Sequence, residues 1–285
     1  MKPLRSCPRT RAFAFPDLLA ILVVLGLITF LSFPAAANTR NSSAALLCIG
    51  NLRQLTTAWQ LYASDHQERL VHNVHGGDAT GGAGANNPTF APWASGWLSW
   101  GTDSDNTNVS FIRNTKWARI SPYLSSAQNI HKCPSDRFLS PVQRAKGWKE
   151  RTRTYAMNLS LGHVNYRGNA GPFDPIYATV LKTSDLRFPS PSETSVLLDE
   201  HPDSMNDAAL FPPNANAWID VPASLHNGVG AFSFADGHAE LHAWVTPLRS
   251  SRVTTSNLYT PRPIPSDPDI HWVSYHSQRI NEKSH

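Results

Sequence analysis

Residues 18–37 read LLAILVVLGLITFLSFPAAA, twenty positions without a charge. At about 1.5 Å per residue, a helix of that length matches the roughly 30 Å hydrocarbon layer of a bilayer. Lys2, Arg5, Arg9 and Arg11 precede it with no acid among them. That asymmetry predicts a cytoplasmic N-terminus and export of everything after the span. Pro16 suits the first turn of a helix, where its missing N–H has no partner to lose. Asp17 then places a carboxylate at the mouth of an apolar stretch, which a cleavable secretory signal does not need. Beyond Pro34, apolar residues recur at Ala45, Cys48, Leu52, Leu55, Trp59 and Tyr62. Steps alternating between three and four draw one stripe along a second helical segment.

Composition narrows the classes further. The chain of 285 residues is 41% hydrophobic, 16% charged and 10% aromatic, with nine Trp, which excludes wholesale disorder and a coiled-coil rod. Its formal charge of +4 equals the four bases of the first twelve residues; without them 21 bases face 21 acids. No basic footprint for a polyanion remains, so nucleic acid is not an expected partner.

The exported part begins with a glycine-rich stretch, HGGDATGGAGANNP over residues 75–88, that predicts a loop. Clustered aromatics follow, and strand-like runs cover residues 194–198 and 228–245. The end, from Ser250, is rich in Ser and Pro. A long helix ahead of short strands and many turns predicts an α+β fold. In it a long N-terminal helix, membrane-embedded in its first half, packs on an antiparallel β-sheet. Asp236-Gly237 between GVGAFSFA and HAELHAWV predicts a two-residue type I′ hairpin turn. On that register Phe232, Phe234, Ala239 and Leu241 face the core, and His238, Glu240 and His242 the opposite side. By strand parity His226 falls on the Phe face unless a bulge intervenes.

Candidate chemistry is sparse. HAELH superficially resembles a zinc helix, but in a strand His238 and His242 stand about 13 Å apart and cannot grip one ion. His226 reads as a hydrogen-bonded structural histidine near the hairpin base. The acidic stretch holding Asp199, Glu200, Asp203, Asn206 and Asp207 offers oxygens for calcium, with Asp203 and Asp207 the candidate ligands; the competing reading is a self-capped turn. No other cofactor is expected. There is no G-x-S-x-G, phosphate loop or HExxH, so no catalytic residue and no enzyme activity is expected. Trp93, Trp97 and Trp100 offer a saccharide platform, against the commoner use of large aromatics in packing.

Several short stretches carry a resemblance. Residues 12–19, AFAFPDLL, resemble a degenerate type IV prepilin processing site, with Ala12 in place of the usual Gly and Asp17 in place of Glu. Residues 48–65, HKCPSD at 131–136, RTYAMN at 153–158 and LLDEHPDSMND at 197–207 are similar to bacterial pseudopilin-like proteins. So is His226, followed after nine residues by Asp236-Gly237, the H-x9-DG signature of a prepilin-associated C-terminal domain. The resemblance implies cleavage between Ala12 and Phe13 by prepilin peptidase, methylation of Phe13, and pairing of its ammonium with Asp17 of a neighbouring subunit. It implies a leader over 1–12, a transmembrane helix over 13–37, its periplasmic continuation over 38–66, a globular domain over 67–248 and a C-terminal segment over 249–285.

The expected function is a pilin-like (pseudopilin) subunit, single-pass in the bacterial inner membrane, that enters a filament of the type II secretion or type IV pilus kind. Its expected partners are other pilin-like subunits, the peptidase and membrane lipid. A secreted or surface carbohydrate-binding or adhesive module is the alternative. In an exported domain Cys48 and Cys133 are candidates for a disulfide, or else two small buried apolar residues.

Overall fold

Pro16 lies in the first turn of α1, Phe15–Asp65. The helix stops where Gln67 and Glu68 both adopt left-handed backbone (φ 57° and 64°) and the Glu68 N–H returns to the carbonyl of Ala63 at 2.8 Å. The computed structural model describes residues 15–86, 91–124, 129–163, 176–214, 217–246, 248, 252–256, 262–263 and 266–278. The chain divides into two units, Met1–Ser42 and Ser43–His285. In the first, Leu18, Leu19, Leu22 and Val23 of α1 are exposed.

In the second unit the α1 stripe is the buried one. Cys48, Leu52, Leu55 and Trp59 are almost fully shielded from solvent, Ala45 is buried and Tyr62 packs at the margin. All but Ala45 lie in one apolar cluster with residues of a five-stranded sheet. Its strands are β1 (Tyr155–Asn158), β2 (Ser195–Asp199), β3 (Ala209–Leu210), β5 (Val229–Phe234) and β6 (Ala239–Ala243), in the order β3-β1-β2-β5-β6. A separate ribbon pairs β4 (Ala217–Trp218) with β7 (Arg262–Pro263). Short helices α2 (Ser110–Arg113) and α3 (Pro141–Ala145) lie between α1 and β1, the latter opened by a Ser140–Gln143 capping box.

Strand alternation distributes side chains to two cores. Tyr155, Met157, Leu197, Ala231 and Ala239 join the α1 cluster; Ala156, Leu198, Phe232 and Phe234 join a second with Trp244. That second core is closed by α4 (Pro268–Tyr275), which buries Ile270 and Val273 and is capped by the Asp267 carboxylate on the N–H groups of Asp269 and Ile270. Helix α4 is therefore part of the second unit. With both faces covered, β1 and β2 are buried at every position, as continuous apolar strands require. Polar contacts add direction: Thr56 Oγ1 meets Ser233 Oγ at 2.7 Å, and Gln60 Nε2 donates to the carbonyl of Ala235 at 2.9 Å.

The expected architecture is corrected on two counts. The sheet is mixed, because β1 runs parallel to β3. And no helix among the described residues is long and apolar enough to cross a membrane. The membrane-embedded half of the helix and the single-pass inner-membrane placement are both withdrawn on this finding.

The hairpin also differs from expectation. Ser233 faces Ala239, and Phe234 and His238 close a loop of three residues, Ala235, Asp236 and Gly237. Gly237 alone takes positive φ (98°), and Asp236 Oδ1 accepts the His238 N–H at 3.0 Å. The added loop residue shifts the register, so His238 and Glu240 share a face with Phe234 and Phe232. Leu241, expected in the core, is 39% exposed.

Gly162 is the tightest backbone approach. At φ 69° a Cβ there would stand 2.0 Å from the Val71 carbonyl oxygen. Gly162→Ala should therefore destabilise the globular unit by at least about 3 kcal/mol, from steric overlap together with left-handed strain. A denaturant titration of the variant against the parent measures it; an unchanged midpoint would contradict this packing.

Candidate functional site

Four chain-distant residues meet beneath the α1 helix. Cys48 comes from α1, Cys133 from the turn following residue 129, Asp199 from the end of β2, and His226 from the turn entering β5. One ligand-type atom from each lies within 4.8 Å of all the others, and all four residues are buried. Cys133 Sγ is 3.3 Å from His226 Nε2, which is 3.8 Å from Asp199 Oδ2; that oxygen is 4.0 Å from Cys48 Sγ. Around them, Tyr155 O–H donates to Cys48 Sγ at 3.2 Å and Ser135 Oγ meets His226 Nδ1 at 3.3 Å. Asp199 Oδ1 is buried without a hydrogen-bond partner.

Local structure explains each placement. Cys48 belongs to the α1 stripe, and its helical spacing turns it inward. Asp199 pairs with Tyr155 across β1 and β2, so its side chain projects to the α1 face. His226 reaches the same face because Asn227 and Gly228 are both left-handed (φ 61° and 80°), which breaks strand parity before β5 begins. Cys133 is held by its own N–H, which donates to Thr154 Oγ1 at 2.7 Å.

Burial governs the electrostatics. It pushes the Cys48 and Cys133 thiols up, raises Asp199 well above the usual carboxylate range with Cys133 adding to the effect, and lowers His226. Burial thus disfavours the charged form of each of the four groups. Two sulfurs, one imidazole nitrogen and one carboxylate oxygen are the donors of a soft divalent cation; two thiols this close are also reagents for a disulfide.

The other expected site residues separate. Cys48 and Cys133 are both free thiols here. Asp203 Oδ2 accepts from Thr254 N and Oγ1 at 2.7 and 2.9 Å. Asp207 takes the N–H groups of Gly76 and Ala209 at 2.8 and 3.0 Å. Among the described residues neither carboxylate belongs to a group of three or more His, Cys, Asp or Glu ligands. Asp236 and Gly237 shape the hairpin loop. Trp93 and Trp100 are buried, the first donating to the Ala208 carbonyl at 3.1 Å and the second stacked under Arg151, so no exposed platform of three rings forms. Ala12 and Phe13 lie outside the described residues, as does the side chain of Asp17.

No known family, curated protein or solved structure matches the chain. The meeting of residues 48, 133, 199 and 226 was not legible beforehand, since no short spacing such as C-x2-C announces it. The nearest signal was that CPSD at 133–136, the acid at 199 and the histidine at 226 each stood inside a stretch already singled out.

A second cluster fixes a pH response. His75 lies against His163 (ring centroids 4.9 Å) and Phe211, beside Asp78, with the following Gly76 N–H bound to Asp207. Burial, and then the His163 charge, lower His75 from 6.5 to about 4. A depressed histidine adds stability above its unfolded pKa and loses it as pH falls. Asp207, raised by burial to about 6, contributes in the opposite sense between its two values. Between pH 7 and 5, the parent should therefore lose about 1–2 kcal/mol more stability than His75→Gln. Urea melts of both chains at the two pH values test this; parallel losses would rule it out.

Proposed function

We propose that the chain is a pilin-like structural subunit that assembles into a filament of the type II secretion or type IV pilus kind, without catalytic chemistry of its own. The supporting observation is the start of α1. Leu18, Leu19, Ile21, Leu22, Val23, Val24 and Leu25 are each between 44% and 57% exposed. These positions surround the helix instead of forming a single stripe, and a helix apolar on every side is one that an assembly encloses. Burying each such side chain fully is worth about 1.5–3 kcal/mol, so bundling of several helices has a strong driving force.

Assembly on this reading is packing between copies of α1, with the mixed sheet and its two cores as the displayed domain. Cleavage between Ala12 and Phe13 would free an amino group to pair with Asp17 of the next subunit, setting the register of the bundle. The H-x9-DG residues then have a structural part: Asp236 and Gly237 form the loop on which Gln60 of α1 is anchored.

Leu22→Asp should weaken each helix–helix contact by about 2 kcal/mol, roughly thirtyfold, because an unpaired polar group enters an apolar seam. Sedimentation and electron microscopy of the assembled protein read the effect, with Gln54→Ala on the exposed side of α1 as control. The thermal transition of the globular unit should stay where it was. Undiminished filaments from the Leu22→Asp chain would sink the proposal.

A further inference from the structure

We infer that Cys48, Cys133, Asp199 and His226 form a structural zinc site that ties α1 to the sheet. Metal–sulfur bonds of about 2.3 Å and metal–nitrogen or –oxygen bonds of about 2.0–2.1 Å make a tetrahedron whose edges are roughly 3.3–3.8 Å. Three of the six separations between the candidate donor atoms are 3.3, 3.8 and 4.0 Å and none exceeds 4.8 Å, so the donors reach those edges by closing in by about an ångström or less. Two sulfurs with one imidazole select a soft or borderline ion over calcium or magnesium. Four protein donors in a buried setting leave no open position for a substrate, which marks a structural site.

The surroundings have the features that orient metal ligands. Ser135 Oγ at His226 Nδ1 leaves Nε2 directed at the cluster, and the Tyr155 O–H points at Cys48 Sγ, where it offsets thiolate charge. Asp199, fully buried with one oxygen unpartnered, is costly in an apolar interior unless a cation meets it. Binding displaces the thiol protons to solvent, leaving two thiolates and the Asp199 carboxylate as anionic donors around one dication. A cleft of about 470 Å³ lies beside the cluster, with Cys133 among its lining residues together with Lys132, Pro134 and Asp136. The site joins a helix, a turn, a strand end and a second turn far apart in sequence. It holds whether or not the chain forms filaments.

Full-length protein purified without chelator should contain about one zinc per chain by elemental analysis. Replacement with cobalt should give thiolate-to-cobalt charge transfer and the intense visible bands of a tetrahedral ion. Cys133→Ser and His226→Gln should each lower bound metal at least tenfold. Asp199→Asn, nearly isosteric, should keep the circular dichroism of the parent yet release zinc to a chelator at least tenfold faster. A chain free of metal after zinc addition, with Cys48 and Cys133 either bridged by mass spectrometry or both still free thiols, would overturn the assignment. So would zinc retained undiminished in Cys133→Ser.

Discussion

Burial of one side of α1 against the sheet is the constraint on which the globular unit depends. The stripe from Cys48 to Tyr62 covers the face of Tyr155, Met157, Leu197, Ala231 and Ala239, with Trp59 the largest side chain that α1 contributes. Removing a buried aromatic of that size from a core costs about 3–5 kcal/mol, a large part of a domain's net stability. Everything else is arranged around that seal. Because α1 occupies one face, the sheet needs a second cover, and α4 with Trp218 and Trp244 supplies it.

The polar interior follows from the same packing. A two-layer cover leaves the ends of β1 and β2 deep inside, and the acids there cannot reach water. Burial raises Glu200 and Asp220 well above the usual carboxylate range, with Asp220 adding to the effect on Glu200 and Asp207 to that on Asp220, while Arg153 among them hydrogen-bonds the carbonyls of Gly96 and Asn206. Asp203 Oδ2 and both oxygens of Asp207 instead accept from backbone and hydroxyl donors, so the acidic stretch works as internal bracing. Asp199 differs from its neighbours in facing two thiols and an imidazole.

Local patterns could be read without coordinates wherever one element determines its own exposure. The period of the α1 stripe picked out the residues that are buried, and the runs over 194–198 and 228–245 fall on β2 and on the β5–β6 hairpin. Errors arose where local chemistry competes. Asp-Gly suits a two-residue turn, yet Ala235 joined the loop, since the Asp236 side chain caps His238 and Gly237 alone takes the left-handed conformation. Strand parity misplaced His226 because two left-handed residues precede β5. Trp93 and Trp100 suggested a platform by proximity in sequence, but rings that large are usually drawn into cores.

The sequence by itself determined periodicity, charge balance and the apolar run near the N-terminus, since each depends on neighbours a few positions apart. Only the tertiary structure decided that β1 pairs parallel with β3, that α4 closes a second core, and that residues 48, 133, 199 and 226 converge. Such contacts arise when distant segments compete to leave water together, and no spacing along the chain records which of them will meet.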